Sequence, residues 1–184
     1  MRKLVSGGGE VLSLTFVKKY LKVDVNDDDE LIQEFIKAGR QWAEKYMRRQ
    51  LISGTFDMYL DSFPDMIELY GCPASDVLYI KYYDSNGDQQ TLSSDDYEVD
   101  VVSEPARIGL ASDASWPSVE NRINAINIRY TAGWADAASV PKPIRDGILL
   151  VIAHLYENRQ AVTKDTYSKL PLGAEYLWDM YKVW

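Results

Sequence analysis

Residues 139–162, SVPKPIRDGILLVIAHLYENRQAV, decide the fold. Pro141 and Pro143 stand where a helix's first turn tolerates proline, because those amides have no intrahelical acceptor. From Ile144 the apolar residues recur at Ile148, Val151, Ile152 and Leu155, which is one helical face. Leu149, Leu150 and Ala153 make most of the remaining circumference apolar, and a helix apolar nearly all round is buried. The run is too short and too often charged to span a bilayer. Its ends are polar, with Arg145 and Asp146 at the start and Glu157, Asn158 and Arg159 at the finish. The stretch predicts a central core helix with the other helices packed around it, and nothing on it is arranged for catalysis.

Working outward, 184 residues with 46% hydrophobic and 26% charged side chains suit one folded domain or one core with a sizeable insertion. The net charge of −8 argues against a protein that neutralises nucleic-acid phosphates over its whole surface. The 13 Tyr and 5 Trp suit cores and interfaces alike. The single cysteine, Cys72, forms no internal disulfide, which fits a reducing compartment. The start, MRKLVSGGGE, lacks the apolar stretch of a signal peptide, so assembly in the cytoplasm is expected.

Residues 1–12 read as a flexible arm, since Gly7, Gly8 and Gly9 give it little reason to order. No Lys-Ser/Thr follows the glycines, so they are not a phosphate loop. Ser13 is a good N-cap for a helix over 14–22, with Phe16, Val17, Tyr20 and Leu21 as its apolar face. The VDVNDDDE run that follows resembles a calcium loop only superficially, because Asp29 stands at the glycine position and Phe35 at the bidentate glutamate position. Asp27 or Asp28 instead caps a second helix over 29–51, whose positive end the neighbouring carboxylates favour. Leu31, Phe35, Trp42 and Tyr46 form one face, with Ile32, Ile36, Ala43 and Met47 beside them. Lys45, Arg48 and Arg49 gather at its end, as an anion-binding patch or as complements to the helix C-terminus.

From 53 to 132 the pattern turns to β. TFDMYL, MIEL, VLYIKYY, QTL, YEVD, RIGL and INIRYT are branched or aromatic runs separated by turn residues, and Asn86-Gly87 is a hairpin signal. The expected fold class is α+β: a small bundle of about four helices over 13–162, with an antiparallel β insertion at about 53–132 between the second and third helices. A tether and C-terminal helix fill 163–184. The core is expected to contain Phe35, Trp42, Ile148, Ile152 and Leu155.

Catalytic devices are not evident. His154 is the only histidine and lies inside the core helix, so it reads as a hydrogen-bonded core or interface residue. One His and one Cys do not make a usual zinc site. The pairs Asp57/Asp61 and Asp95/Asp96 are in principle compatible with glycoside hydrolysis, but nothing selects either. No enzyme activity, cofactor or metal is expected.

In this order the chain resembles the head–tail connector, or head-completion adaptor, proteins of long-tailed bacteriophages and gene-transfer agents. The resemblance rests on LSLTFVKKYLKVD with its acidic run and DELIQEFIKAGRQWAEKYMRRQLI, then on YYDSNGDQQTLSSDDYEVD and ARIGLASDASWP. It continues through INAINIRYTAGWADAASVPKPIRDGILLVIAHLYENRQAV and LPLGAEYLWDMYKVW. The succession YTAGW, VPKPI, HLYENR is its most specific part, and the glycine-rich leader lies outside it.

The resemblance implies a structural virion protein of the neck. It would form a homo-oligomeric ring below the portal, usually with the portal's twelve-fold symmetry, and extend the DNA channel to a stopper or tail-completion protein. Genomic DNA would pass without sequence-specific binding, and no membrane is involved. An acidic protein suits such a channel, because like charge prevents phosphate binding. The C-terminal segment is expected to dock into the portal through Leu170, Pro171, Leu172, Tyr176, Trp178, Tyr181, Val183 and Trp184. Leu172, Tyr176 and Met180 make one helical stripe, and Leu177, Tyr181 and Trp184 a second. Trp116, Pro117 and Ser118, in an irregular loop, are expected to touch a neighbouring subunit. The alternative is a monomeric, non-enzymatic binding module that grips sugar or peptide through exposed aromatics of the β block.

Overall fold

The computed structural model describes residues 2–158 and 172–183. Among the described residues are four α-helices and eight strands in two antiparallel sheets, a mixed α+β protein. Seven strands lie in the chain between the second and third helices. The chain divides into a helical unit (residues 9–52 and those from 134 onward) and a β unit (residues up to 8 and 53–133).

In the helical unit, α1 (Leu14–Leu21) starts at Ser13, whose Oγ accepts from the Phe16 amide at 3.3 Å. Only Val17 of α1 is buried; Phe16 and Tyr20, expected on the inner face, are exposed. α2 (Asp29–Met47) begins at Asp28, but that carboxylate does not cap the helix amides. It accepts from the Tyr156 hydroxyl at 2.7 Å, while Asp29 pairs with Lys18 at 2.5 Å, so the acidic run ties helices together. The buried stripe of α2 is Ile32, Ile36, Gly39, Ala43 and Met47. Phe35 and Trp42 are therefore only half-buried at the edge of the core, a correction to the expected face. The stripe takes steps of four, three, four and four, which a straight helix keeps on one side.

α3 (Lys142–Glu157) is the core helix, with Ile144, Gly147, Ile148, Leu149, Val151 and Ile152 buried. Leu155 is half-buried near its end. A Cβ on Gly39 would stand 3.1 Å from Ile148 Cγ2 and 3.4 Å from Ile152 Cγ1, so the missing side chain lets α3 approach α2 closely. α4 (Leu172–Asp179) returns to the same core and buries Trp178 completely.

The β unit holds a five-stranded sheet, β1-β2-β8-β4-β5, and a three-stranded sheet, β3-β7-β6. The ranges are β1 (Arg2–Gly7), β2 (Gly54–Leu60), β3 (Ile67–Leu69) and β4 (Ala74–Tyr83). They continue with β5 (Gln89–Thr91), β6 (Tyr97–Asp100), β7 (Ala106–Leu110) and β8 (Ile126–Ala132). β8 alternates cleanly: Ile126, Ile128, Tyr130 and Ala132 are buried and the residues between are half-buried, the period of two that a sheet covered on one face imposes. Phe56, Met58, Ile80, Ile67, Leu69 and Ile108 complete this core. Tyr130 donates to the Tyr70 carbonyl at 2.7 Å, and burial pushes its phenol up to about 12.

The turn after β4 forms as the Asn86-Gly87 signal requires. Asp84 accepts from the amides of Asn86 (2.9 Å) and Asp88 (3.1 Å), and Gly87 takes φ +84°. The reading of residues 1–12 as an arm is corrected: residues 2–7 pair with β2 as an edge strand. Gly7, at φ +86°, approaches so closely that a Cβ there would lie 2.9 Å from Gly54 Cα. The glycine run thus permits a backbone contact rather than looseness.

Candidate functional site

Among the described residues no group of three or more His, Cys, Asp or Glu side chains is placed to hold a metal. No described helix is long and apolar enough to cross a membrane. His154 is half-buried, with its Nδ1 3.3 Å from Asn158 Nδ2. Cys72 is buried and forms no disulfide. Asp61 accepts from the Asn124 amide at 2.7 Å, a loop contact.

Asp57 is instead the acceptor of a bidentate pair, 2.7 and 2.8 Å from Arg129 Nε and a terminal nitrogen, on facing positions of β2 and β8. The Arg129 guanidinium holds its carboxyl below the usual carboxylate range. The pair's share of stability is therefore full above about pH 4 and is lost as pH falls through the lowered folded value. Asp57→Asn is expected to cost about 1–2 kcal/mol at neutral pH, reduced because Arg129 reaches water. It should also flatten the acid limb of a plot of stability against pH, measured by urea unfolding at several pH values.

The remaining features are surfaces. Trp178 is fully buried, donates from Nε1 to the Ile144 carbonyl at 3.2 Å and lies 5.9 Å from the Tyr46 ring. Its assignment to portal docking is corrected: the indole is spent on its own subunit. Tyr46 also donates to Asp179 at 2.6 Å, and that bond pushes its phenol up to about 12. Arg49 donates to the Tyr181 carbonyl, and the Val183 amide to the Met47 carbonyl at 3.0 Å. Of the cluster Lys45, Arg48 and Arg49, Arg49 is buried and fastens the C-terminal segment, while Lys45 and Arg48 are exposed. Tyr181 and Leu177 pack partly on the same core, whereas Tyr176 is 76% and Met180 64% exposed. Leu170, Pro171 and Trp184 lie outside the described residues, as does the side chain of Leu172.

Trp116 stacks on Phe63 with centroids 4.6 Å apart and planes 1° apart. Its indole, half-buried, thus packs within its own β unit. Pro117 is half-buried and Ser118 exposed. Among the aromatics of the β unit only Tyr70 is exposed, so the sugar- or peptide-gripping surface has little material. A loop organised by Asp100, which accepts from the amides of Val102 (3.0 Å) and Ser103 (2.9 Å), presents Val102 at 91% exposure. The Ser103 hydroxyl and the Arg107 guanidinium hold the Asp100 carboxyl well below the usual range.

Charge is divided unevenly. The β unit carries fourteen carboxylates against six basic side chains, while the helical unit balances fourteen against fourteen. The whole net charge of −8 therefore belongs to the β unit. No single signal in the sequence marks this division, because the acidic run that draws the eye, residues 24–30, lies in the balanced unit.

The model of the phage gp6-like head-tail connector protein family matches residues 12–105, half of the chain. The chain belongs to that family. It is a family of structural connectors, not of enzymes. None of the curated proteins matches the chain. Three solved structures share the connector's fold over all of this chain and 95% of theirs. One is described as the neck of an empty GTA particle computed with C6 symmetry, at 21% identity and TM-score 0.80. Another is described as the virion of a native gene transfer agent particle, at 20% and 0.81. A third, the neck of a native GTA particle computed with C12 symmetry, is 19% identical with TM-score 0.75. At these identities the likeness is one of fold.

Proposed function

We propose that the connector forms a ring in the neck of a virion, seated below the portal, where it extends the DNA channel and receives a stopper or tail-completion protein. The family match over residues 12–105 carries this reading. We read the β unit as an insertion between α2 and α3, turned toward the channel so that its charge keeps duplex DNA moving. Pro117 and Ser118 stand at the rim of a neighbouring copy.

Portal docking falls to the exposed stripe of the C-terminal segment, Tyr176 and Met180. Exposed apolar residues on a helix already anchored elsewhere are available to a partner. Met180→Asp combined with Tyr176→Ala is expected to leave the melting temperature within about 2 °C, since surface substitutions seldom exceed 0.5 kcal/mol. It should reduce binding to portal-bearing capsids at least tenfold in co-sedimentation. Full-strength binding by the double variant would refute the docking assignment. Particles produced without the chain should package DNA yet carry no tail.

A further inference from the structure

We propose that neighbouring copies in the ring join by strand pairing, with β1 of one copy adding to the free edge of β6 in the next. This rests on the ring reading above. The two sheets leave four edges: β1, β5, β3 and β6. An unpaired edge is a template for another strand, and a charged edge favours a partner of opposite charge. β5 and β3 have three residues each; β5 is polar and held by the Asp84 turn, and β3 buries two of its three side chains. β1 has six residues, all exposed, with Leu4 50% and Val5 43% open to solvent. β6 has four, with Glu98 and Val99 exposed at its centre. β1 and β6 are therefore the two longest edges.

Their charges are opposite. β1 brings Arg2 and Lys3 into a unit that is otherwise acidic. Arg2 is already used, donating to the Tyr70 carbonyl at 3.2 Å and lying 4.4 Å above the Phe56 ring. Lys3 is exposed and makes no ion pair among the described residues. β6 and the turn before it carry Asp95, Asp96, Glu98 and Asp100. Asp100 is paired with Arg107 at 2.6 Å, whereas Asp95 and Glu98 are exposed without an ion pair among the described residues. Strand addition supplies the main-chain bonds, and the match of Lys3 to Glu98 fixes the partner. Because the two edges differ, the contact is heterologous; it repeats from copy to copy and closes as a ring.

The test uses the full chain carrying both Lys3→Cys and Glu98→Cys, oxidised at a concentration where the unsubstituted chain assembles. A ladder of dimers, trimers and higher species on a non-reducing gel is expected, with none from either single variant. Dimers from Lys3→Cys alone would mean that β1 pairs with β1, and would overturn the proposal, as would the absence of any ladder. In parallel, Lys3→Glu and Glu98→Lys should each weaken assembly about tenfold, and the two together should recover it. Assembly indifferent to both reversals overturns edge pairing and leaves the ring standing. An unsubstituted chain that stays monomeric in solution and on portal-bearing capsids overturns the ring instead.

Discussion

Replacing Gly147 by alanine is expected to unseat α4. Gly147 lies in the middle of α3, where alanine is ordinarily better than glycine by about 1 kcal/mol. Here the added Cβ would fall 2.4 Å from Trp178 Nε1 and 2.8 Å from its Cε2, separations no packed side chain tolerates. The indole has nowhere nearby to go. It is completely buried, bonded to the Ile144 carbonyl one turn earlier on α3, and packed against Tyr46. Losing a buried tryptophan's packing costs about 3–5 kcal/mol, so the steric loss outweighs the gain in helix propensity by about 2–4 kcal/mol. Native-state hydrogen exchange should show α4 amides losing protection first, with α2 and α3 less affected. A variant as stable as the parent, or more so, would mean that Trp178 is not the anchor described. Should α4 detach while the rest holds, Tyr176 and Met180 lose their rigid base, so the same variant is expected to weaken portal binding.

The sequence displays periodicity well and partnership poorly, and particular residues show why. All seven β runs from TFDMYL to INIRYT became strands, because alternating branched and aromatic residues between turns fit few other structures. The core helix was equally plain, since no other stretch is apolar on so many sides. β1 was not legible, because RKLVSG has one β-branched residue and a glycine tail, and its strand character comes from pairing with β2. Which face of α2 turns inward was also hidden: Phe35 and Trp42 are larger than Gly39 and Ala43, yet the small residues are buried, because α3 needs room there. Trp178 and Trp116 looked like partner contacts for the same reason. Each is a large aromatic in a short or irregular segment, and only the fold supplies the intramolecular site it fills, beside Gly147 in one case and on Phe63 in the other. The basic cluster after α2 misleads likewise, since Arg49 finds the Tyr181 carbonyl more than a hundred residues away. The candidate surfaces that survive are those whose exposure follows from what the neighbouring residues bury.

Ile152→Ala is expected to be as damaging as the glycine substitution, for the opposite reason. Ile152 is completely buried on α3, and its Cγ1 lies against the bare backbone of Gly39 on α2. The same groove holds Ile148, whose Cγ2 comes closer still. Removing three carbons leaves a void beside a glycine, and a glycine has no side chain to swing into it. Collapse would require α2 and α3 to shift together, which Trp178, packed on Gly147 of α3 and Tyr46 of α2, resists. The cost should lie at the upper part of the usual range of about 2–5 kcal/mol. A second substitution checks the geometry: Gly39→Ala alone should be strained, its Cβ 3.1 Å from Ile148, whereas Gly39→Ala added to Ile152→Ala should recover part of the loss. Denaturant unfolding of the four proteins gives the coupling directly. Because the β unit has its own core, the transition should be followed by exchange at α2 and α3 amides, where the helical unit reports alone. An Ile152→Ala protein that unfolds with the parent's midpoint, or a double variant no better than the single, would show that the α2–α3 contact is not where the helical unit draws its stability.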